Sequence, residues 1–210
     1  PRIGLKYKAS ERLRIKAAAG MYSQNVIGAN SDRDVVNLFY GFLSGPSNLQ
    51  SNFVNPNGDV TEVSHSLQTA NHLVGGFEFD VTEKLNLNIE GYLKHFTQLT
   101  NMNRNKIFDE ADVSADIPEM FYMDYIVESG LAQGVDVVLE YEENGTYIWF
   151  VYGYGDVDRW DGIQWYDPVF DRRHNLNFVA SQDFGNENQW KLSTRWALGS
   201  GLPFTQSQGY

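Results

Sequence analysis

The chain has no cysteine among its 210 residues, which excludes a disulfide scaffold and any thiolate metal site. No segment approaches the ~18 consecutive apolar residues of a membrane-spanning helix, so a helical span is excluded as well. Positive charge is scarce: 16 Lys and Arg face 27 Asp and Glu, a net charge of −11. Nucleic acid is therefore no expected partner, because phosphate binding needs clustered Lys and Arg. The histidines His65, His72, His95 and His174 are scattered, without the paired or i, i+4 spacing of metal sites, so no metal is expected. There is no Gly-x-Ser-x-Gly elbow and no phosphate-cradling Gly loop. No catalytic residue and no cofactor are expected, and the chain does not read as an enzyme.

What is present is a rhythm. Tyr, Phe and Gly are abundant and suit strands and turns. Amphipathic segments come in pairs joined by tight turns, and the pairs are separated by long polar connections. In the first pair, Ile3, Leu5 and Tyr7 alternate with Arg2, Lys6 and Lys8, and Leu13, Ile15, Ala17, Ala19 and Met21 follow in residues 13–22. The second pair covers 72–81 and 85–96. The third covers 130–142 and 146–156 and turns at Asn144-Gly145, a favoured hairpin dipeptide. The fourth covers 174–184 and 190–199. In residues 146–156 two sets compete for the apolar side, and the set of Ile148, Phe150, Tyr152 and Tyr154 is the one expected there.

Short and long connections in strict alternation are what a membrane β-barrel requires, with short periplasmic turns on one rim and long extracellular loops on the other. Each strand also approaches the ~9–11 residues that a tilted strand needs to cross a bilayer. Tyr7, Phe77, Phe79, Tyr141, Tyr154, Phe184 and Trp190 lie near strand ends on the apolar face, as interfacial girdles do. The expected fold is thus all-β, an antiparallel transmembrane β-barrel fragment of about eight strands. Pro1 opens directly into a strand and residues 201–205 read as loop, so the chain is expected to be an internal piece of a longer protein.

Two long connections are expected to carry helices. Ser31 as N-cap, Asp34 three residues on and the stop at Gly45-Pro46 predict a helix over 31–46, with Val35, Leu38, Phe39 and Phe42 on one face. Pro118 at a first-turn position predicts another over 118–127, inside an acidic stretch.

Taken together, several segments resemble the C-terminal half of the barrel of TonB-dependent outer-membrane receptors of the Bacteroidota type. They are Pro1-Arg2-Ile3-Gly4-Leu5-Lys6-Tyr7 with residues 13–24; residues 70–79 leading into 85–94; Ala132-Gln133-Gly134-Val135-Asp136-Val137; Asp171-Arg172-Arg173-His174-Asn175-Leu176-Asn177; and Gly199-Ser200-Gly201-Leu202-Pro203-Phe204-Thr205. The resemblance spans essentially the whole chain. It implies a 22-stranded barrel in the outer membrane of a Gram-negative bacterium, plugged by an N-terminal domain and importing a scarce nutrient with energy from TonB, ExbB and ExbD. Residues 1–210 would supply part of that barrel, in contact with outer-membrane lipid. The alternative is a barrel serving as a scaffold for a surface lipoprotein or larger assembly, with transport secondary.

On this reading Arg14, Lys16, Glu78, Asp80, Glu90, Lys94, Asp136, Glu140, Lys191 and Arg195 face the lumen or the plug domain. Trp160, Trp165 and Tyr166 are the candidate ligand contacts, since aromatic-lined concavities are common binding sites. Their other reading is a small hydrophobic core for the loop, the role expected of Phe39, Phe42 and Phe121. Asp156, Asp158, Asp161, Asp167 and Asp171 lack EF-hand spacing and read as a solvated acidic loop rather than a Ca²⁺ site. Asp171-Arg172-Arg173-His174 reads as a loop-to-strand boundary with mutually paired charges.

Overall fold

The computed structural model describes residues 1–28, 41–46, 48–109 and 117–203. Eight long strands form one antiparallel sheet in simple up-and-down order: β1 (Arg2–Lys8), β2 (Leu13–Gln24), β7 (Gln68–Thr82), β8 (Leu85–Met102), β9 (Tyr125–Glu143), β10 (Thr146–Trp160), β12 (His174–Phe184) and β13 (Trp190–Gly199). The short β11 (Trp165–Tyr166) pairs back onto β10. Two small ribbons, β3 (Val26–Gly28) with β4 (Phe42–Ser44) and β5 (Asn52–Val54) with β6 (Val60–Glu62), decorate the first long connection. The sheet is open, with β1 and β13 at its edges.

Neighbouring strands on one side are joined by short turns. Asn144 and Gly145 both hold positive φ, 47° and 78°, the type I′ geometry whose twist matches that of the flanking strands. All the long connections leave from the opposite end, called here the loop end.

Cross-strand partners share a face, so the register sorts the side chains. Tyr7, Ile15, Phe77, Ile89, Val137, Tyr152, Leu176 and Leu198 form one unbroken row across all eight strands. Rows above and below repeat it, with Leu5, Ala17, Leu73, Leu87, Leu139, Phe150, Phe178 and Trp196 on the same face. The Ile148 set lies on this face, Ile148 itself standing between Tyr141 and Ala180. Toward the turns the belt ends in Tyr7, Phe79, Tyr141, Phe184 and Trp190; toward the loops it ends in Asn71, His95, Gln133 and Asp156. The belt is not buried: Leu73 is 56% exposed and Trp196 59%.

The strands run further toward the loop end than their alternation suggests. β8 and β9 have 18 and 19 residues. A bulge between Phe96 and Leu99 inserts extra residues into β8 and moves Leu99 and Asn101 onto the polar face, opposite Glu128 and Ile126. One expectation is corrected here, and a second at its C-terminal end alone. Residues 118–127 form no helix: a single 3-10 turn at Glu119–Phe121 is followed directly by β9. The β-branched and aromatic run Tyr125-Ile126-Val127 pairs with residues 100–102 of β8, and that ladder prevails over the Pro118 start signal. The expected helix 31–46 falls mostly on residues 29–40, outside the described residues; its end, Phe42–Ser44, is strand β4, and Phe42 is 83% exposed rather than in a loop core.

Candidate ligand-contact site at the loop end

The only closely packed interior among the described residues lies where the strand tops meet the long connections. Ile126, Val127, Leu99 and Phe53 are buried there, alongside buried polar groups. Glu128 is 0% exposed. A buried carboxylate is costly unless it is hydrogen-bonded, and this one is. Asn101 Nδ2 donates to it at 3.0 Å, the Tyr166 hydroxyl lies 2.7 and 2.9 Å from its two oxygens, and Arg159 Nη1 stands 3.6 Å away. Asn101 and Tyr166 are also in contact at 3.1 Å. Four strands are pinned by this cluster: β8, β9, β10 and β11.

The connections are fastened to the cluster and to each other. Gln50 N donates to the Tyr125 carbonyl at 3.0 Å, and Trp160 Nε1 donates to the Val54 carbonyl at 2.8 Å. The Glu119 carboxylate accepts from Ser51 N at 2.8 Å, from Asn52 N at 3.1 Å and from the Ser51 hydroxyl. Asp124 accepts from Lys106 Nζ at 2.7 Å and Asn48 Nδ2 at 3.0 Å. The Lys106 hydrogen bond, with that of Asn48, holds the Asp124 carboxyl below its usual range against the opposing effect of burial. The first and second long connections thus form one layer over the strand tops.

The structure brings Trp160 and Trp165 together and sets Tyr166 on the other face of β11, opposite Arg159. Trp160 and Trp165 face each other across the β10–β11 pair with ring centroids 5.6 Å apart and planes at 53°. Trp160 spends its N–H on Val54, and Tyr166 gives its hydroxyl to Glu128. Trp165 is 51% exposed and presents the free aromatic surface of the three. Among the acids of this region, Asp161 is buried and its Oδ1 accepts from the N–H groups of Ile163 and Gln164, both at 2.8 Å. Arg173 contacts Asp156, Asp167 and Asp171. No group of three or more His, Asp or Glu is arranged to hold a metal among the described residues.

All ten charged candidates of the strands fall on the face opposite the apolar belt, and the structure divides them. Arg14, Lys16, Glu78, Asp80 and Glu90 form one ladder across β2, β7 and β8: Arg14 to Glu78 at 2.8 Å and to Asp80 at 2.7 Å, Lys16 to Glu78 at 3.2 Å and to Glu90 at 3.3 Å. Lys191 pairs with Asp183 at 3.5 Å, Glu140 accepts from the Tyr147 hydroxyl at 3.3 Å, and Lys94 lies 4.9 Å from the centre of the Tyr92 ring. Asp136 and Arg195 stand outside these groupings.

Glu128, Asn101 and Arg159 had no place among the sequence candidates. Their trace was slight: one acid directly after the apolar run Tyr125-Ile126-Val127, at the end of an acidic stretch. No family model, no curated protein and no solved structure matches the chain.

Proposed function

We propose that the sheet is one arc of a transmembrane β-barrel of a TonB-dependent outer-membrane receptor, whose loop end captures a nutrient for import. The observation that carries this reading is the apolar belt. Eight strands in continuous register expose aliphatic and aromatic side chains on one face and carry charged side chains on the other. A sheet in water hides such a face against a second layer; a lipid-facing wall leaves it bare. In β13 the belt runs from Trp190 to Leu198, eight residue steps or about 27 Å along the strand. At a tilt of ~40° this is ~20 Å in height, close to the ~25 Å apolar band of such barrels. The open sheet supports an arc of a wider wall, whose interior would take a plug domain against the charged face.

The test is cellular fractionation together with heat-modifiable electrophoretic migration, then growth and direct uptake of single nutrient sources in a deletion strain. Outer-membrane location with a nutrient-specific uptake defect is the expected result; a protein recovered in soluble fractions would sink the reading. Trp165→Ala is expected to weaken uptake while leaving migration unchanged. The scaffold reading has one observation in its favour: Ile107, Val60 and Ile163 are exposed on the loop layer, where a surface lipoprotein would dock. Co-purification of such a partner with uptake unaffected by its loss would favour that role.

A further inference from the structure

The third long connection, residues 161–173, returns from β10 to β12 and carries β11 with Trp165. Its end is tied to β10 through one side chain. The three guanidinium nitrogens of Arg173 reach three different carboxylates. Nε stands 2.8 Å from Asp171 and Nη2 3.2 Å from Asp167, both within the connection, while Nη1 contacts Asp156 of β10. Gly155 N donates to the Arg173 carbonyl at 3.0 Å, a second tether to the same strand. Asp171 is buried. Asp158, two residues beyond Asp156 on the same face of β10, is hydrogen-bonded through its carboxyl to that of Asp167.

Four carboxyls thus gather around one cation. The other charged and titratable groups nearby are turned elsewhere. Arg159 stands on the opposite face of β10 beside Glu128, Arg172 lies against Gly199 of β13, and His174 of β12 shares a hydrogen bond with the Tyr152 hydroxyl at 2.8 Å. Asp161 is spent on the N–H groups of Ile163 and Gln164. On β9 the partners of Asp156 and Asp158 are Gln133 and Leu131, which do not titrate, and His95 of β8 lies one strand further. Tyr92 of β8 and Asp136 of β9 approach Asp171 from the polar face. Two ionised carboxylates are both acceptors, so the contact between Asp158 and Asp167 requires a proton. Burial first and the Asp167 charge second push the Asp171 carboxyl above its usual range, opposed by the Val157 N–H and aided by Asp158.

We propose that a proton shared by Asp158 and Asp167 latches the third connection onto β10, so that the connection is held in mild acid and loosens as pH rises. Free aspartates give up their protons near pH ~4. The latched cluster keeps one above that point. Between the two titrations the closed connection therefore binds more protons than the open one, and closure weakens with rising pH. Once the proton leaves, two adjacent carboxylates repel each other, and Arg173 alone cannot neutralise four acids. The dependence is opposite in sign to that of Asp124 in the second connection, whose carboxyl is held below its usual range by Lys106. Because the third connection carries Trp165, the latch governs how that ring is presented; this last step rests on the reading of Trp165 as a ligand contact.

The test is hydrogen exchange by mass spectrometry on the purified full-length protein, between about pH 5 and about pH 8. It is read as the opening equilibrium of residues 161–173, after correction for the intrinsic exchange rate at each pH. Opening should increase with pH, by about tenfold if the shared proton titrates one unit above a free aspartate. Asp158→Asn places an amide donor on Asp167 at every pH, so it should keep the connection closed and abolish the pH dependence. Heat-modifiable migration verifies folding of the variant. A flat profile in the wild type, opening that increases on acidification, an unchanged dependence in Asp158→Asn, or an Asp158→Asn connection open at every pH would each overturn the latch. The two readings fail separately: recovery of the protein in soluble fractions refutes the barrel and leaves the latch standing, and a flat profile in an outer-membrane protein refutes the latch alone.

Discussion

Val137 and Val138 are adjacent, identical in type and opposite in facing. Val137 stands in the apolar row between Ile89 and Tyr152, whereas Val138 pairs with Asn88 and Val151 on the face that carries Glu90, Asp136 and Glu140. Arg at Val137 would enter hydrocarbon near mid-belt, at a cost of ~2–4 kcal/mol. At Val138 it would meet water and carboxylates, with a cost of about 0–1 kcal/mol. A difference of about 3 kcal/mol is roughly a hundredfold in the folding equilibrium. A third variant, Leu85→Arg, faces the same way as Val137 but sits beside the 83–84 turn, where the cost in a bilayer falls to about 0–1 kcal/mol. The assay is denaturant titration of the protein folded into lipid vesicles, read by heat-modifiable migration. Val137→Arg should shift the midpoint far more than either of the others. Depth dependence is the decisive part, because a face covered by a second protein layer would punish Arg at both Val137 and Leu85. Equal midpoints for Val137→Arg and Val138→Arg, or an equal cost at Leu85, refute the lipid-facing assignment.

Three further outcomes follow from the geometry. Tyr166→Phe removes a donor from the buried Glu128 carboxylate, at about 1–3 kcal/mol, and should raise hydrogen exchange across residues 161–173; unchanged exchange would show that the cluster does not hold this connection. Asp124 has a depressed folded-state pKa, so the stability it lends to the second connection is fully present above about pH 4 and is lost as pH falls below that value. Protease cleavage within residues 103–124 should therefore rise on acidification in the wild type, and Asp124→Asn should remove that dependence. Gly134→Ala would place a Cβ 2.3 Å from the Tyr154 carbonyl and 2.5 Å from the Tyr92 hydroxyl; a loss of about 1–3 kcal/mol is expected, seen as a lower denaturation midpoint, whereas wild-type stability would mean that β9 and β10 separate freely at this point.

Much of the sheet was legible along the chain because a strand's two faces are written in its own alternation. The segments 2–8, 174–184 and 190–199 coincide with β1, β12 and β13, and Asn144-Gly145 announced its turn as a residue pair suited to positive φ at both positions. Alternation stops being readable where a strand departs from period two. The bulge at Phe96–Leu99 shifts the facing within β8, and the residues beyond it resemble loop although they are ladder. The Pro118 signal was misleading for a related reason, since a local start signal cannot outweigh pairing with a strand that is distant in sequence.

Which residues alternate, where the tight turns fall and on which face each charge lies were properties of the sequence alone, because each depends on neighbours within a few positions. Which charges are spent and which remain free was decided only by the tertiary structure. Arg14 meets Asp80 across 66 residues and Glu128 meets Tyr166 across 38. Asp136, no different in the sequence from other strand acids, joins no ladder and lies against Gly153, where a Cβ would stand 2.8 Å from its Oδ1. Pairing of that kind depends on strand register and on how the long connections fold back over the sheet, and no local pattern encodes either.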